Sequence, residues 1–202
     1  MDVKKNYQKE LERLIKEIPD GTRLLLHSCC APCSSYVISY LSDYLDITVL
    51  YYNPNISERE EYLKRAAEQR RLISEMPTVH KVDFLEGDHD GKVFFDAVKG
   101  YEGCKEGGDR CNICYRLRLE ETARMAKKLG FAFFSTTLTI SPLKNAQAIN
   151  EIGNELSVIY GVEWLPSDFK KNDGYKKSIE LSRIYSLYRQ NYCGCIFSKN
   201  NK

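Results

Sequence analysis

Eight cysteines fall into three groups and one singleton. Grouped sulfur does two kinds of chemistry: it binds metals and it cycles electrons. Cys29, Cys30 and Cys33 stand together in His27-Ser28-Cys29-Cys30-Ala31-Pro32-Cys33. Cys111 and Cys114 form a Cys-x-x-Cys within Gly108-Asp109-Arg110-Cys111-Asn112-Ile113-Cys114-Tyr115, Cys193 and Cys195 flank Gly194, and Cys104 is alone. A Cys-x-x-Cys at a helix start can place two thiolates on one metal, and the helix N-terminus lowers their pKa. Tetrahedral zinc and a cubane iron–sulfur cluster each need four ligands, and Cys29/Cys30 with Cys111/Cys114 would supply four. Adjacent cysteines are awkward for one small zinc but reach different corners of a larger cluster. Cys30-Ala31-Pro32-Cys33 also reads as a thioredoxin-like redox pair, which leaves Cys33 either ligand or spare thiol. The glycine in Cys193-Gly194-Cys195 lets the backbone close a small, strained disulfide suited to electron transfer; the alternative is a further pair of metal ligands. Cys104 reads as a buried small hydrophobe.

Other polar groups have two readings each. Asp109, beside Cys111, could bind a second metal or relay a proton. Asp168 and the Ser141-Pro142-Leu143-Lys144-Asn145 turn could serve a site, and all of these could instead be helix caps or solvated loop. His27 at a strand end reads as a packed core histidine rather than a ligand. No G-x-x-x-x-G-K-[ST] loop and no G-x-G-x-x-G follows any strand, so ATP is not an expected substrate.

These groups need a frame to hold them. At 202 residues the chain can bury a core without disulfides or metal merely to fold, and one domain is expected over 1–202. No stretch approaches the roughly 18–20 apolar residues of a membrane span, and the opening twenty residues have no signal-peptide core. The expected setting is the cytoplasm, where ordinary thiols stay reduced and eight cysteines call for another role. Apolar runs alternate with helical patterns. Strands are expected at 23–27, 47–52, 80–84, 131–137 and 162–165, with helices between them. One opening helix carries Tyr7, Leu11, Leu14 and Ile18 on one face. Ser57 with Glu60 forms a capping-box pattern. A Gly- and Asp-rich, cysteine-bearing insertion interrupts the rhythm at about 85–110. Five strands separated by helices make an α/β fold with a parallel sheet, whose ligands bind beyond the carboxyl ends of the strands at the topological switch point.

Net charge is only +2, so bulk electrostatics do not single out nucleic acid. Its distribution does: residues 168–202 carry eight Lys or Arg against three Asp or Glu, interleaved with Tyr175, Tyr185, Tyr188 and Tyr192. Such a segment could hold phosphates while stacking bases, or be a solvated helix face with half-buried tyrosines.

With these residues assembled, the chain resembles the QueH-type epoxyqueuosine reductase family. The matching pieces are HSCCAPCSS (27–35), YYNPNI (51–56), GDRCNICYRLRL (108–119), TTLTISPLKN (136–145) and YRQNYCGC (188–195), in order along nearly the whole chain. The resemblance implies a Rossmann-like fold akin to the adenine-nucleotide α-hydrolase group. It implies a [4Fe-4S] cluster on Cys29, Cys30, Cys111 and Cys114, a redox-active disulfide between Cys193 and Cys195, and an option for an additional iron ion nearby. The activity it implies is cobalamin-independent, two-electron removal of the epoxide oxygen of epoxyqueuosine in a tRNA anticodon loop, fed by an unidentified electron donor. Asp109 and Tyr115 are the candidate proton sources. Two rival readings stay open: a zinc-dependent tRNA-binding module without catalysis, and a metal-free thiol–disulfide oxidoreductase.

Overall fold

The computed structural model describes residues 5–199; Lys202, counted above in the basic segment, lies outside them. Five parallel strands form one sheet: β1 (Thr22–His27), β2 (Leu45–Tyr51), β3 (Val82–Glu86), β4 (Phe133–Thr136) and β5 (Glu163–Trp164), ordered β3-β2-β1-β4-β5. The helices are α1 (Tyr7–Glu17), α2 (Ala31–Leu41), α3 (Arg59–Glu75), α4 (Gly91–Ala97), α5 (Asp109–Leu129), α6 (Ala146–Tyr160), α7 (Gly174–Ile184) and the short α8 (Ile196–Lys199). This is the doubly covered α/β arrangement expected from the alternation of strand and helix patterns.

Both faces of β1 are apolar because both are covered. Leu24 and Leu26 turn to a core shared with α1, α2, α3 and Phe169, while Leu25 turns to a second core with Leu119, Ala123, Phe134, Ile149 and Trp164. That alternation is the two-residue period of a strand. Gly130 (φ +68°) and Gly161 (φ +64°) end α5 and α6 in the left-handed conformation that only glycine adopts without strain.

The chain runs β1 to β2 to β3 in one direction across the sheet and β4 to β5 in the other. The order therefore reverses between β1 and β4, which are neighbours. A crevice opens there at the carboxyl ends, where the connections from β1 and β4 diverge. Two local expectations are corrected. Ser57 does not cap α3: its Oγ accepts from Ile196 N (3.1 Å), its N–H donates to Gly194 O (3.2 Å), and α3 begins after Glu58 without a side-chain cap. The helix after β1 starts at Ala31 rather than Ser34, with Pro32 in its first turn, where a missing N–H costs nothing.

Candidate active site

The turn after β1 is built rigid. His27 is fully buried; its Nε2–H donates to Tyr52 O (3.1 Å), which fixes the tautomer and leaves Nδ1 to accept from the Thr136 hydroxyl (2.8 Å). Burial, helped by the Arg118 charge, holds this imidazole neutral with its pKa lowered to about 3. It is the packed histidine the sequence suggested. Ser28 Oγ and Ser34 Oγ both donate to Gln69 Oε1 of α3 (2.8 and 2.7 Å), and Asn53 Nδ2 donates to Ser28 O (2.8 Å).

On this braced turn the sulfurs of Cys29, Cys30 and Cys33 lie within 4.8 Å of one another, with 3.8 Å between Cys29 Sγ and Cys30 Sγ. Cys30 caps α2 and Cys33 sits in its first turn, so the helix N-terminus faces the cluster of thiols. Hydrogen bonds from the Cys30 and Cys33 thiols hold Cys29 well below its usual range. The same sharing pushes Cys30 up to about 12 and Cys33 upward as well.

Cys111 and Cys114 come from the first turns of α5. Gly107 N–H donates to Cys111 Sγ (3.2 Å). Cys114 is buried, which pushes its thiol up to about 12, and the buried Arg118 sits one turn further on, its Nε donating to Cys114 O (3.1 Å). Arg110, also buried, folds back the preceding loop by donating to the carbonyls of Glu102 and Cys104 (2.6 Å each). Cys104 is thus held on the loop by its backbone, outside the cavities described next.

Cys193 and Cys195 arrive on a strap, residues 185–199, clipped across α3. Arg71 Nη2 donates to Tyr185 O (2.9 Å), Tyr188 N donates to Glu68 Oε1 (2.6 Å), and Arg65 Nη1 donates to Cys193 O (3.3 Å). Gly194 holds φ +109°, and a Cβ there would come within 2.8 Å of Ile56 Cγ1. All eight cysteines are free thiols in this structure, Cys193 and Cys195 included.

The groups meet at one place. A small cavity of about 20 Å³, room for roughly one water, is lined by Cys111, Cys114, Cys193, Cys195, Tyr115 and Arg118, among others. It adjoins a cleft of about 310 Å³ whose walls include Cys29, Cys33, Cys193, Arg189 and Tyr192. Glu106, Leu143 and Lys144 line both. Burial works against a charge on Lys144, but the sulfurs of Cys193, Cys29 and Cys33 outweigh it and hold the ammonium protonated. Burial likewise keeps the Tyr115 phenol neutral. Asp109 is exposed in the first turn of α5, and the acidic residue lining the cavities is Glu106 instead.

Sequence reasoning thus named six of the seven converging cysteines as site residues and left Cys33 open. It passed over Lys144 except as part of a turn, although that turn follows β4 at the switch point, the one signal that could have singled it out. Of the four tyrosines in the basic segment, Tyr175 and Tyr192 line the cleft. Tyr185 packs on the core and Tyr188 bonds to Glu61 of α3.

Residues 24–201 match the family model described as Epoxyqueuosine reductase QueH. A protein of that name from Streptococcus pyogenes serotype M1 is 42% identical over 198 residues, covering 96% of this chain and 78% of that one. Its namesake from Staphylococcus epidermidis is 44% identical over 200 residues, covering 96% and 84%. That from Thermotoga maritima is 36% identical over 178 residues, covering 87% and 89%.

Proposed function

Because the chain belongs to the epoxyqueuosine reductase QueH family, we propose that it removes the epoxide oxygen of epoxyqueuosine in the anticodon loop of a tRNA, leaving queuosine. The observation that carries this reading is the convergence of six cysteines on one pair of adjoining cavities at the switch point of the sheet, with Cys30 beside Cys29 and Cys33 as a seventh.

The donor set suits a [4Fe-4S] cluster. We assign its ligands as Cys29, Cys30, Cys111 and Cys114, with the Cys33 thiol beside them as a fifth sulfur within reach of the first pair. Supporting this, Gly107 N–H already bonds Cys111 Sγ, and Lys144 and Arg118 supply the positive charge that an anionic cluster needs. Such a cluster, when bound, supplies electrons one at a time, and an additional iron nearby would act as a Lewis acid.

The rest of the chemistry falls to side chains of this chain. Deoxygenation consumes two electrons and two protons and releases water. The Cys193/Cys195 dithiol holds that complement: forming the S–S bond gives up two electrons and two protons, while both C–O bonds of the epoxide break and a C=C bond forms. An external reductant then restores the dithiol. Of the proton sources named from the sequence, Tyr115 is the better placed, lining the cavity with its phenol kept neutral; Asp109 lies outside it. Lys144 offers a fixed positive charge to the departing oxygen. At about 310 Å³ the cleft is at the small end of ligand pockets, which suits one nucleoside turned out of its loop.

The test is direct. Protein reconstituted anaerobically with iron and sulfide should be brown and should convert epoxyqueuosine-bearing tRNA to a product lighter by one oxygen, read by mass spectrometry of the digested nucleosides. A loaded protein that leaves the nucleoside unchanged would sink the proposal, as would stoichiometric zinc in a colourless protein. The rival thiol–disulfide exchange at Cys30 and Cys33 is disfavoured, since Cys30 is buried and its thiol is pushed away from the thiolate.

A further inference from the structure

Lys144 lines a third cavity as well, one that no cysteine lines. This basin measures about 410 Å³ and is lined by Lys5, Lys144, Lys170 and Lys171, with Asn6, Asn145 and Gln147 as neutral polar neighbours. Asp168 lines it too, paired with Lys170 (3.0 Å), and the carboxylates beside it are Glu10, paired with Lys5 (3.0 Å), and Glu151, held by Gln147 Nε2 (2.7 Å). Lys144 and Lys171 have no carboxylate partner among the described residues. Four lysines border this concavity: two are paired with carboxylates, Lys144 is balanced by the sulfurs of the neighbouring site, and Lys171 is left to face an anionic strand.

We infer that this basin holds the phosphodiester backbone of the RNA whose modified nucleoside enters the cleft, an inference that rests on the reading of the chain as a tRNA reductase. Continuity decides for a polyanionic strand over a free anion. One residue, Lys144, belongs to cysteine cavity, cleft and basin alike, so a strand with one nucleoside in the cleft has its neighbouring phosphates beside Lys144. On the cleft side, Arg189 and the rings of Tyr175 and Tyr192 continue the track with one more cation and two stacking surfaces. Two other cations of the basic C-terminal segment are occupied: Lys199 pairs with Glu58 (2.5 Å) and Lys177 lies over the Tyr36 ring. The RNA face is therefore assembled from three separate parts of the sequence, around Lys5, Lys144 and Lys170–Lys171.

The experiment measures binding of a fluorescein-labelled anticodon stem-loop RNA to the full chain by anisotropy, over a range of salt concentrations. Lys171→Glu, at an exposed position, should weaken binding by about threefold or more. It should also flatten the plot of log affinity against log salt by roughly 0.7–0.9 for each phosphate no longer neutralised. Adding Lys5→Glu and Lys170→Glu should bring the weakening to about tenfold or more. Lys127→Glu with Lys128→Glu, at the far end of α5, should leave affinity and slope unchanged. The inference is overturned if the Lys171 variant binds with unaltered affinity and slope, if the Lys127/Lys128 variant falls as far, or if the unaltered chain does not bind the RNA. RNA binding that depends on the basin, from a protein that never deoxygenates the nucleoside, would fault the reductase reading and leave this one standing. Efficient deoxygenation with indifferent basin variants would do the reverse.

Discussion

At the scale of single residues, the site depends on groups that do no chemistry. The Thr136 hydroxyl donates to His27 Nδ1 and accepts from Leu138 N–H (3.1 Å), so one oxygen anchors the end of β1 and the turn after β4. Thr136→Val keeps the shape and strands both partners in a buried setting. We expect destabilisation by about 1–3 kcal/mol, visible as a lower urea midpoint with an unchanged slope. Gly194 is a second such position. Alanine there would be held at φ +109° with its Cβ pressed on Ile56 and 3.2 Å from Arg65 Nη1. Gly194→Ala should cost about 1–3 kcal/mol locally and, by shifting Cys193 and Cys195, raise the rate at which both thiols react with a disulfide reagent. Unaltered thiol kinetics would show that the glycine is dispensable. The cysteine spacing and the need for glycine at 194 were legible in the sequence because both are local. Lys144 in the cleft was not, because its partners come from other elements of the fold, and the local spacing of Cys33 left open whether it was ligand or spare thiol.

Between elements, the approach is close enough to forbid a methyl group. Gly153 of α6 lies against Trp164 of β5, where a Cβ would approach the indole to 2.3 Å. Gly153→Ala should therefore destabilise the protein by about 1–3 kcal/mol, a fall in melting temperature that a smaller aromatic at 164 would partly restore. The strap over α3 depends instead on charge. Arg71, and then the Tyr188 amide, hold the Glu68 carboxyl below its usual range despite burial. Because that pKa is depressed in the folded state, the stabilisation is present above the ordinary carboxylate range and is lost as pH falls through the depressed value. Glu68→Gln should thus lower the urea midpoint at neutral pH, and the gap from the unaltered protein should close on acidification through that titration. A gap of constant size would refute the ionic clip. This strap also explains the misread capping box. The pattern Ser57-x-x-Glu60 was genuine, but the segment at 194–196 took both Ser57 groups, and periodicity within one helix carries no trace of a partner 139 residues away. The helices themselves, read from apolar spacing and closing glycines, stand within a few residues of where expected, whereas β5 shrank to two residues because only Glu163 and Trp164 find a paired neighbour in β4.

For the molecule as a whole, the alternation of strands and helices was enough to place the site at the crevice beyond β1. What it could not give was the meeting of distant segments: residues 29–33, 106–118, 140–144 and 189–195 all contribute to one pair of cavities. A bound metal centre would tie several of these together. Reconstitution with iron and sulfide should accordingly raise the melting temperature, since a ligand held only by the folded state stabilises it. Cys111→Ser should abolish both the rise and the colour. A rise that survives in Cys111→Ser would remove that residue from the ligand set.

That long-range closure has a temporal side. Arg65 reaches the Cys193 carbonyl across 128 residues, so during synthesis the Cys29–Cys30–Cys33 trio and its helix exist well before the strap that covers them. For most of translation those three sulfurs stand without Cys111, Cys114 and the strap. Faithful loading therefore belongs after the last of these segments has been made, and premature capture of a stray ion by the trio is the error this order of assembly invites.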